Sequence, residues 1–162
     1  MLGLMQDYPL LVQTILDHAA LNHGERQMVT RSVEGPIRRC NYSELRIRAL
    51  RVAKALHKDG IGMGDRVATI AWNTDRHVEV WYGVMGLGAI AHTVNPRLFA
   101  EQLIYIINHA EDKLMFVDLT FVPLVEAIAG HLPSIQKYII LTDEAHMPET
   151  TLPNAHAYET WL

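Results

Sequence analysis

The sequence predicts an α/β fold with a mostly parallel sheet flanked by helices, preceded by a helix and a β-hairpin. Four short apolar runs rich in branched and aromatic residues start about 22 to 25 residues apart. Each interval is long enough for a strand, a turn, a helix and a return. Strands that alternate with helices at such spacing are joined by right-handed crossovers and lie parallel in one sheet.

The chain opens with a predicted helix over residues 10–22. Leu11, Ile15 and Ala19 recur at helical spacing, with Leu16 one position away. This periodicity predicts one apolar face that packs against the rest of the molecule.

A hairpin and a capped helix are expected next. Residues 27–33 and 37–42 alternate as two short strands, with a Glu-Gly-Pro turn between them. Asn41 and Glu44 have the spacing of a capping box, in which each side chain bonds the other residue's backbone amide. The helix that they open runs to about Lys58 and closes at Gly60, which can take the left-handed conformation.

The repeating part of the chain follows this helix. The predicted strands cover residues 67–72, 89–94, 114–117 and 138–141, and the predicted helices 75–87, 99–109 and 121–131. We therefore divide the chain into a helix and hairpin (1–42), βα repeats (43–142) and an irregular connection (143–162). The last part contains two prolines, and a new element starts at Ala157, so we expect a chain cut from a longer protein.

Composition excludes several classes of protein. The 162 residues are 49% hydrophobic and 20% charged, as in ordinary globular domains, and the net charge of -4 argues against a nucleic-acid partner. Cys40 is the single cysteine, so no intrachain disulfide can form. With no signal peptide and no transmembrane segment in the sequence, we expect a cytoplasmic location and leave peripheral contact with a membrane open.

Polar residues follow four predicted strands, at the edge where parallel sheets usually bind ligands. They are Asn73, Asn95, Asp118 and Asp143. A polar crevice is one interpretation, but these residue types are also preferred as helix caps and in turns, which is the interpretation we favour.

Two glycine clusters do not match a phosphate-binding loop. Residues 60–64 precede a strand, whereas such a loop follows one and opens a helix. Gly83, Gly86 and Gly88 lie late in a helix, so we expect close packing of that helix on the sheet and then its end.

Neither the histidines nor the lysines and arginines indicate a site. No two of the nine histidines lie three or four positions apart, so the sequence predicts no metal site. Arg51, Lys54 and Lys58 share one helix face, with Arg46 and Arg48 beside it. We interpret this basic stripe as a solvated face or an internal docking surface.

The order and spacing of several segments within residues 41–118 resemble the amino-terminal subdomain of the adenylate-forming acyl-CoA synthetases. The similarity extends more weakly over about residues 6–142. Within the family, the chain is most similar to the medium- and long-chain fatty-acid CoA ligases. The resemblance is carried by Tyr42-Ser43-Glu44-Leu45, Gly60-Ile61-Gly62-Met63-Gly64-Asp65-Arg66, Asn95-Pro96-Arg97-Leu98, Gln102-Leu103-Ile104-Tyr105 and Phe116-Val117-Asp118.

The resemblance implies a parent enzyme that activates a fatty acid with Mg-ATP to an acyl-adenylate and transfers the acyl group to coenzyme A. The phosphate loop ending in Pro-Lys-Gly, the nucleotide motifs and the catalytic lysine of that family do not occur in this sequence. The chain is thus predicted to be an inactive scaffold with no catalytic, cofactor-binding or metal-binding residue, and its substrate-binding residues stay unknown.

The remainder of the same enzyme chain is the partner that this interpretation implies, with a homodimer left open. The alternative is a non-enzymatic interaction or dimerisation module of the same fold. A free-standing nucleotide binder is disfavoured, because no strand is followed by a glycine-rich loop.

Overall fold

The computed structural model describes residues 3–162. The strands are β1 (Gln27–Arg31), β2 (Ile37–Asn41), β3 (Arg66–Ile70), β4 (Ile90–Thr93), β5 (Leu114–Val117), β6 (Lys137–Ile140) and β7 (Ala155–Ala157). The helices are α1 (Gln13–His23), α2 (Tyr42–Lys58), α3 (Asp75–Gly86), α4 (Ala100–Ala110), α5 (Val122–Ala129) and α6 (Tyr158–Trp161). Two short 3₁₀ turns, Leu119–Phe121 and Glu144–His146, follow β5 and β6.

Strands β3 to β7 form one parallel sheet in the order β4-β3-β5-β6-β7, which confirms the predicted fold class. All four residues of β5 are buried, because helices cover both faces of the sheet. Leu114 and Phe116 pack on the face covered by α2 and α3. Met115 and Val117 pack on the opposite face, among residues of α4 and α5.

The hairpin and the second helix are confirmed. β1 and β2 pair antiparallel in a separate two-stranded sheet, with Gln27 opposite Asn41. The Asn41 side chain accepts from the Glu44 amide at 2.9 Å, and the Glu44 carboxylate accepts from the Asn41 amide at 3.0 Å. Helix α2 ends as predicted, since Gly60 has a φ of 82°.

The predicted apolar face of the first helix is wrong in part. α1 begins at Gln13, because the chain makes a turn in which the Leu11 amide donates to the Pro9 carbonyl. Leu16 is buried, whereas Leu11 and Ile15 are 47% and 63% exposed. Leu16 is the one buried residue of α1 and packs with Leu45 and Ala49 of α2, so most of α1 lies on the surface.

Gly83 allows close packing between two helices, and not between a helix and the sheet as predicted. A β-carbon at Gly83 would lie 2.5 Å from Cγ1 of Val52 in α2. The backbones of α2 and α3 therefore approach each other at this point. Gly88 ends the segment with a φ of 79°, as expected.

The final part of the chain is more regular than the prediction of an irregular connection allowed. β7 pairs in parallel with β6 and forms one edge of the sheet, and α6 follows at once. The three-residue strand Ala-His-Ala carries no hydrophobic pattern of its own, so only its pairing with β6 reveals it. The division at residues 42 and 142 stays a prediction.

Candidate functional site

The carboxyl edge of the sheet holds the polar residues that the sequence placed there. Asp118 is buried and accepts hydrogen bonds from the amides of Trp72 and Leu119, at 3.1 and 3.2 Å. Asp143 accepts from the His146 amide at 3.0 Å, and Asn95 accepts from that of Arg97 at 3.0 Å. These three residues act as caps or in turns, as we interpreted them.

Asn73 does not follow this interpretation. The neighbouring Thr74 caps α3 by accepting from the His77 amide, and Asn73 is exposed. Thr74 has the same capping chemistry and stands one position nearer the helix. The side chains of Asn95, Asp118 and Asp143 are thus engaged with backbone amides at this edge.

Behind this edge lies an arginine network, which we define as Arg38, Arg48 and Arg76 with the carboxylates of Glu34, Asp75, Glu79 and Glu159. Arg48 Nε lies 2.7 Å from Glu79 Oε1, and its Nη2 lies 2.8 Å from Glu159 Oε2. Arg76 Nε lies 2.8 Å from the other Glu159 oxygen. Glu159 therefore bridges two arginines that come from different helices.

The network extends to the hairpin and to the end of β6. Arg76 Nη1 donates to Glu34 Oε1 at 2.6 Å and to the Leu141 carbonyl at 2.9 Å. Arg38 of β2 lies 3.1 Å from Asp75 at the start of α3. Through these bonds the network joins the hairpin, α2, α3, β6 and α6.

Burial sets the electrostatics of the network. Burial raises the pKa of Glu79, and the hydrogen bonds from Arg48 and Tyr158 oppose this rise without cancelling it. For Glu159 burial acts in the same direction, but Arg76 and Arg48 outweigh it and hold the pKa of Glu159 below its usual value. The pKa values of Arg48 and Arg76 rise, because the paired carboxylates outweigh desolvation.

Tyr158 completes the buried part of the network. Its hydroxyl donates to Glu79 Oε2 at 2.7 Å, and burial together with the Glu79 charge raises the pKa of Tyr158 well above 10. A phenol held neutral in this way is not a general base. The arrangement fixes α6 in place and positions no nucleophile.

Two histidines have opposite environments. His77 is buried and bonds the Thr69 hydroxyl and the Trp72 carbonyl, at 3.0 and 3.1 Å, and burial lowers its pKa. His92 of β4 lies 2.6 Å from the buried Asp112 carboxylate, whose hydrogen bond raises the pKa of His92. Both rings thus have structural partners within the described residues.

Cys40 of β2 is a half-buried free thiol. Burial, followed by the charges of Asp75 and Glu79, raises the pKa of Cys40 to about 11. The thiol is therefore protonated at neutral pH, which is the unreactive form.

The loop of residues 60–64 does not fit a nucleotide phosphate. The Gly62 amide donates to the Asp65 carboxylate at 2.9 Å, and the Gly64 amide donates to the Gly88 carbonyl at 2.9 Å. The Gly60 and Ile61 amides donate to carbonyls of α2. With these amides engaged and a carboxylate beside them, the loop offers no cradle for an anion.

The basic stripe divides into two parts. Arg51, Lys54 and Lys58 are exposed, as a solvated face requires, whereas Arg48 belongs to the arginine network. Within residues 3–162 no three His, Cys, Asp or Glu side chains are grouped to hold a metal ion. No helix in the described part of the chain has the length and apolar character needed to cross a membrane.

Sequence reasoning missed the arginine network, because its members come from segments far apart in the chain. Arg48 and Glu159 are separated by 111 positions. One signal was available in the run Asp75-Arg76-His77-Val78-Glu79, which places several ionisable residues on a helix whose other neighbours are apolar. Such residues are seldom fully buried unless they are paired.

Comparison with known proteins extends these observations. The family model described as AMP-binding enzyme matches residues 16–161. The chain is 47% identical over 147 residues to the 3-methylmercaptopropionyl-CoA ligase of Ruegeria pomeroyi, covering 90% of this chain and 27% of the relative. It is 42% identical over 159 residues to the medium-chain-fatty-acid–CoA ligase of Ectopseudomonas oleovorans, covering 98% and 29%.

The fold has a counterpart within a longer chain among solved structures. The N-terminal domain of FACL13 from Mycobacterium tuberculosis superposes with a TM-score of 0.70 at 25% identity, over 80% of this chain and 33% of that one. The chain thus spans about a third or less of the relatives that it matches.

Proposed function

The chain belongs to the AMP-binding enzyme family, and from this premise we propose that it is the scaffold part of an acyl-CoA ligase that acts on fatty acids. The observation that carries the proposal is the extent of the match. Identity of 41–47% runs over 90–98% of this chain but over only 27–30% of each CoA ligase relative. The relatives are CoA ligases by name, so the reaction class comes from them.

The proposed reaction of the whole enzyme has two steps. The fatty-acid carboxylate displaces pyrophosphate from ATP, with magnesium as counter-ion, to give an acyl-adenylate. The coenzyme A thiol then attacks the acyl carbon, and AMP leaves. These steps need cations and backbone amides arranged around the phosphates.

The described residues do not fit ATP, which supports a scaffold role for this part of the enzyme. Four amides of the glycine loop are bonded to other groups of the chain, and Asn95, Asp118 and Asp143 at the carboxyl edge of the sheet accept from backbone amides. The arginine network is committed to its own carboxylates. We therefore assign no catalytic step to a residue of this chain.

Acid-dependent exchange of labelled pyrophosphate into ATP tests the proposal. We expect the purified chain of 162 residues to show no exchange with decanoate, and the longer product of its gene to show it. Exchange by the chain alone contradicts the scaffold role, provided that it persists after controls for a contaminating ligase. A longer product without exchange for any fatty acid contradicts the ligase assignment.

A non-enzymatic interaction module is the second candidate, favoured by exposed apolar residues near the amino terminus. Leu4, Met5 and Leu10 are 108%, 89% and 97% exposed, and large apolar side chains left bare in this way can be covered by a partner. This candidate predicts a gene product that ends near residue 162 and a homodimer in light scattering. A monomer at high concentration counts against it. A cytoplasmic location remains part of the proposal in either case.

A further inference from the structure

A groove runs between α1 and the surface formed by β1, α2 and α3. Its volume is about 510 Å³, within the range of small-molecule sites in proteins. Its walls include Ile15 and Leu16 of α1, Met28 of β1, and Val78 and Tyr82 of α3. The groove lies beside the contact that Leu16 makes with Leu45 and Ala49 of α2.

A second hollow shares two lining residues with the groove. It has a volume of about 250 Å³ and is lined by Met28 and Val78 as well, so the two spaces are neighbours. His77 and Trp81 also line it, and Trp81 is 43% exposed.

Among the described residues that line the groove, Arg26 is cationic and none is acidic. The same lining includes His18 and His23. Asp17, the nearest carboxylate on α1, lies 2.5 Å from Arg46 in an ion pair, and neither residue lines the groove. A local cation beside apolar walls, in a chain with a net charge of -4, fits an anion that carries a long apolar tail.

We propose that this groove binds a free fatty acid, with its alkyl chain against Met28, Val78 and Tyr82 and its carboxylate at Arg26. The choice of ligand rests on the proposed function, but binding at this groove needs neither ATP nor coenzyme A. The groove is a holding site for the acid, since no reactive group lines it. Other occupants are a second copy of the chain or a cationic or neutral amphiphile.

Titration of the ¹⁵N-labelled chain with sodium decanoate, followed by NMR, tests the proposal. We expect saturable shifts at the amides of Met28, Val78 and Tyr82. Arg26→Gln is expected to weaken binding about 3- to 5-fold, as loss of an exposed charge contact does. Arg31→Gln is the matched control, because Arg31 is likewise exposed, lies at the end of β1 and does not line the groove.

Two further arms separate the occupants. Ala19→Phe places a large side chain in the groove from α1 and should abolish the shifts. If this variant does not fold, the comparison of Arg26→Gln with Arg31→Gln still tests the proposal. The proposal would be overturned by equal binding of decanoate and decyltrimethylammonium, by equal effects of the two arginine variants, or by the absence of saturable binding. So would self-association that covers α1 and is unchanged by decanoate. A negative result here leaves the pyrophosphate-exchange test of the longer protein unaffected.

Discussion

At the scale of single residues, buried charge is tolerated in this chain only where each group has a partner. Glu79 is fully buried and is bonded by both Arg48 and Tyr158. Desolvation of a lone carboxylate would cost several kcal/mol, so the bonds are what allow it to lie there. Glu34 and Asp112 are exceptions in part, because Oε2 of Glu34 and Oδ1 of Asp112 are buried without a partner among the described residues.

Substitution of Glu79 measures this balance. Glu79→Gln should lower the free energy of unfolding by about 3 kcal/mol, because Arg48 loses its buried counter-charge. Urea titration followed by circular dichroism gives the value. The control is Arg46→Met, which breaks the exposed pair with Asp17 and should cost less than about 1 kcal/mol. Equal costs for the two variants would contradict a special role for burial.

His92 makes stability depend on pH in a defined direction. Its pKa is raised above the ordinary 6.5 by Asp112, so its contribution is complete below pH 6.5 and is lost as pH rises through the raised pKa. We expect His92→Asn to cost about 1 kcal/mol more at pH 5.5 than at pH 8.5. Urea titrations of both proteins at the two pH values give the difference.

The comparison must be made between variant and wild type at each pH, because His77 acts in the opposite sense. Burial lowers the pKa of His77, so its contribution is complete above pH 6.5 and is lost as pH falls below that value. A cost of His92→Asn that is the same at both pH values would mean that His92 is not charged in the folded chain.

At the scale of elements, the sequence specifies most helices and strands through local patterns. The capping box of Asn41 and Glu44 and the apolar run of β5 lie where periodicity and capping chemistry put them. α1 differs, because its apolar residues exceed what the narrow contact with α2 can bury. Periodicity reveals an apolar face but does not reveal which neighbour covers it.

The contact between α2 and α3 depends on the absence of a side chain at Gly83. Gly83→Ala should destabilise the chain by about 1–3 kcal/mol, because overpacking against Val52 exceeds the gain in helix propensity. Thermal and urea unfolding measure the change. Gly86→Ala is the matched control: its nearest neighbour, Cβ of Gln13, is 4.0 Å away, so we expect a neutral or stabilising effect. A Gly83→Ala variant that is stabilised would refute close packing there.

At the scale of the whole molecule, long-range contacts account for what sequence reasoning could not supply. The parallel sheet with helices on both of its faces follows from alternating strands and helices. The arginine network and β7 do not, because each depends on partners that lie far along the chain. No local pattern reveals that Arg48 and Glu159, which are 111 positions apart, are partners.

The last eight residues are therefore expected to be essential to the fold. Deletion of residues 155–162 removes the edge strand β7, the buried Tyr158 and the carboxylate shared by Arg48 and Arg76. We expect the cooperative unfolding transition to broaden or disappear. Deletion of residues 1–8 is the control, since residues 3–8 are exposed, and should change stability by less than about 0.5 kcal/mol. A sharp, unshifted transition in the first deletion would contradict this role.

The raised pKa of Cys40 makes the reactivity of its thiol a measure of local opening of the chain. With a pKa of about 11, the thiolate fraction of folded Cys40 is on the order of 10⁻⁴ at pH 7, whereas an unfolded cysteine ionises far more readily. A thiol-reactive reagent should therefore modify the folded chain slowly and chiefly when β2 detaches. The rate of modification in native buffer then reports how often the hairpin opens, without any label being introduced.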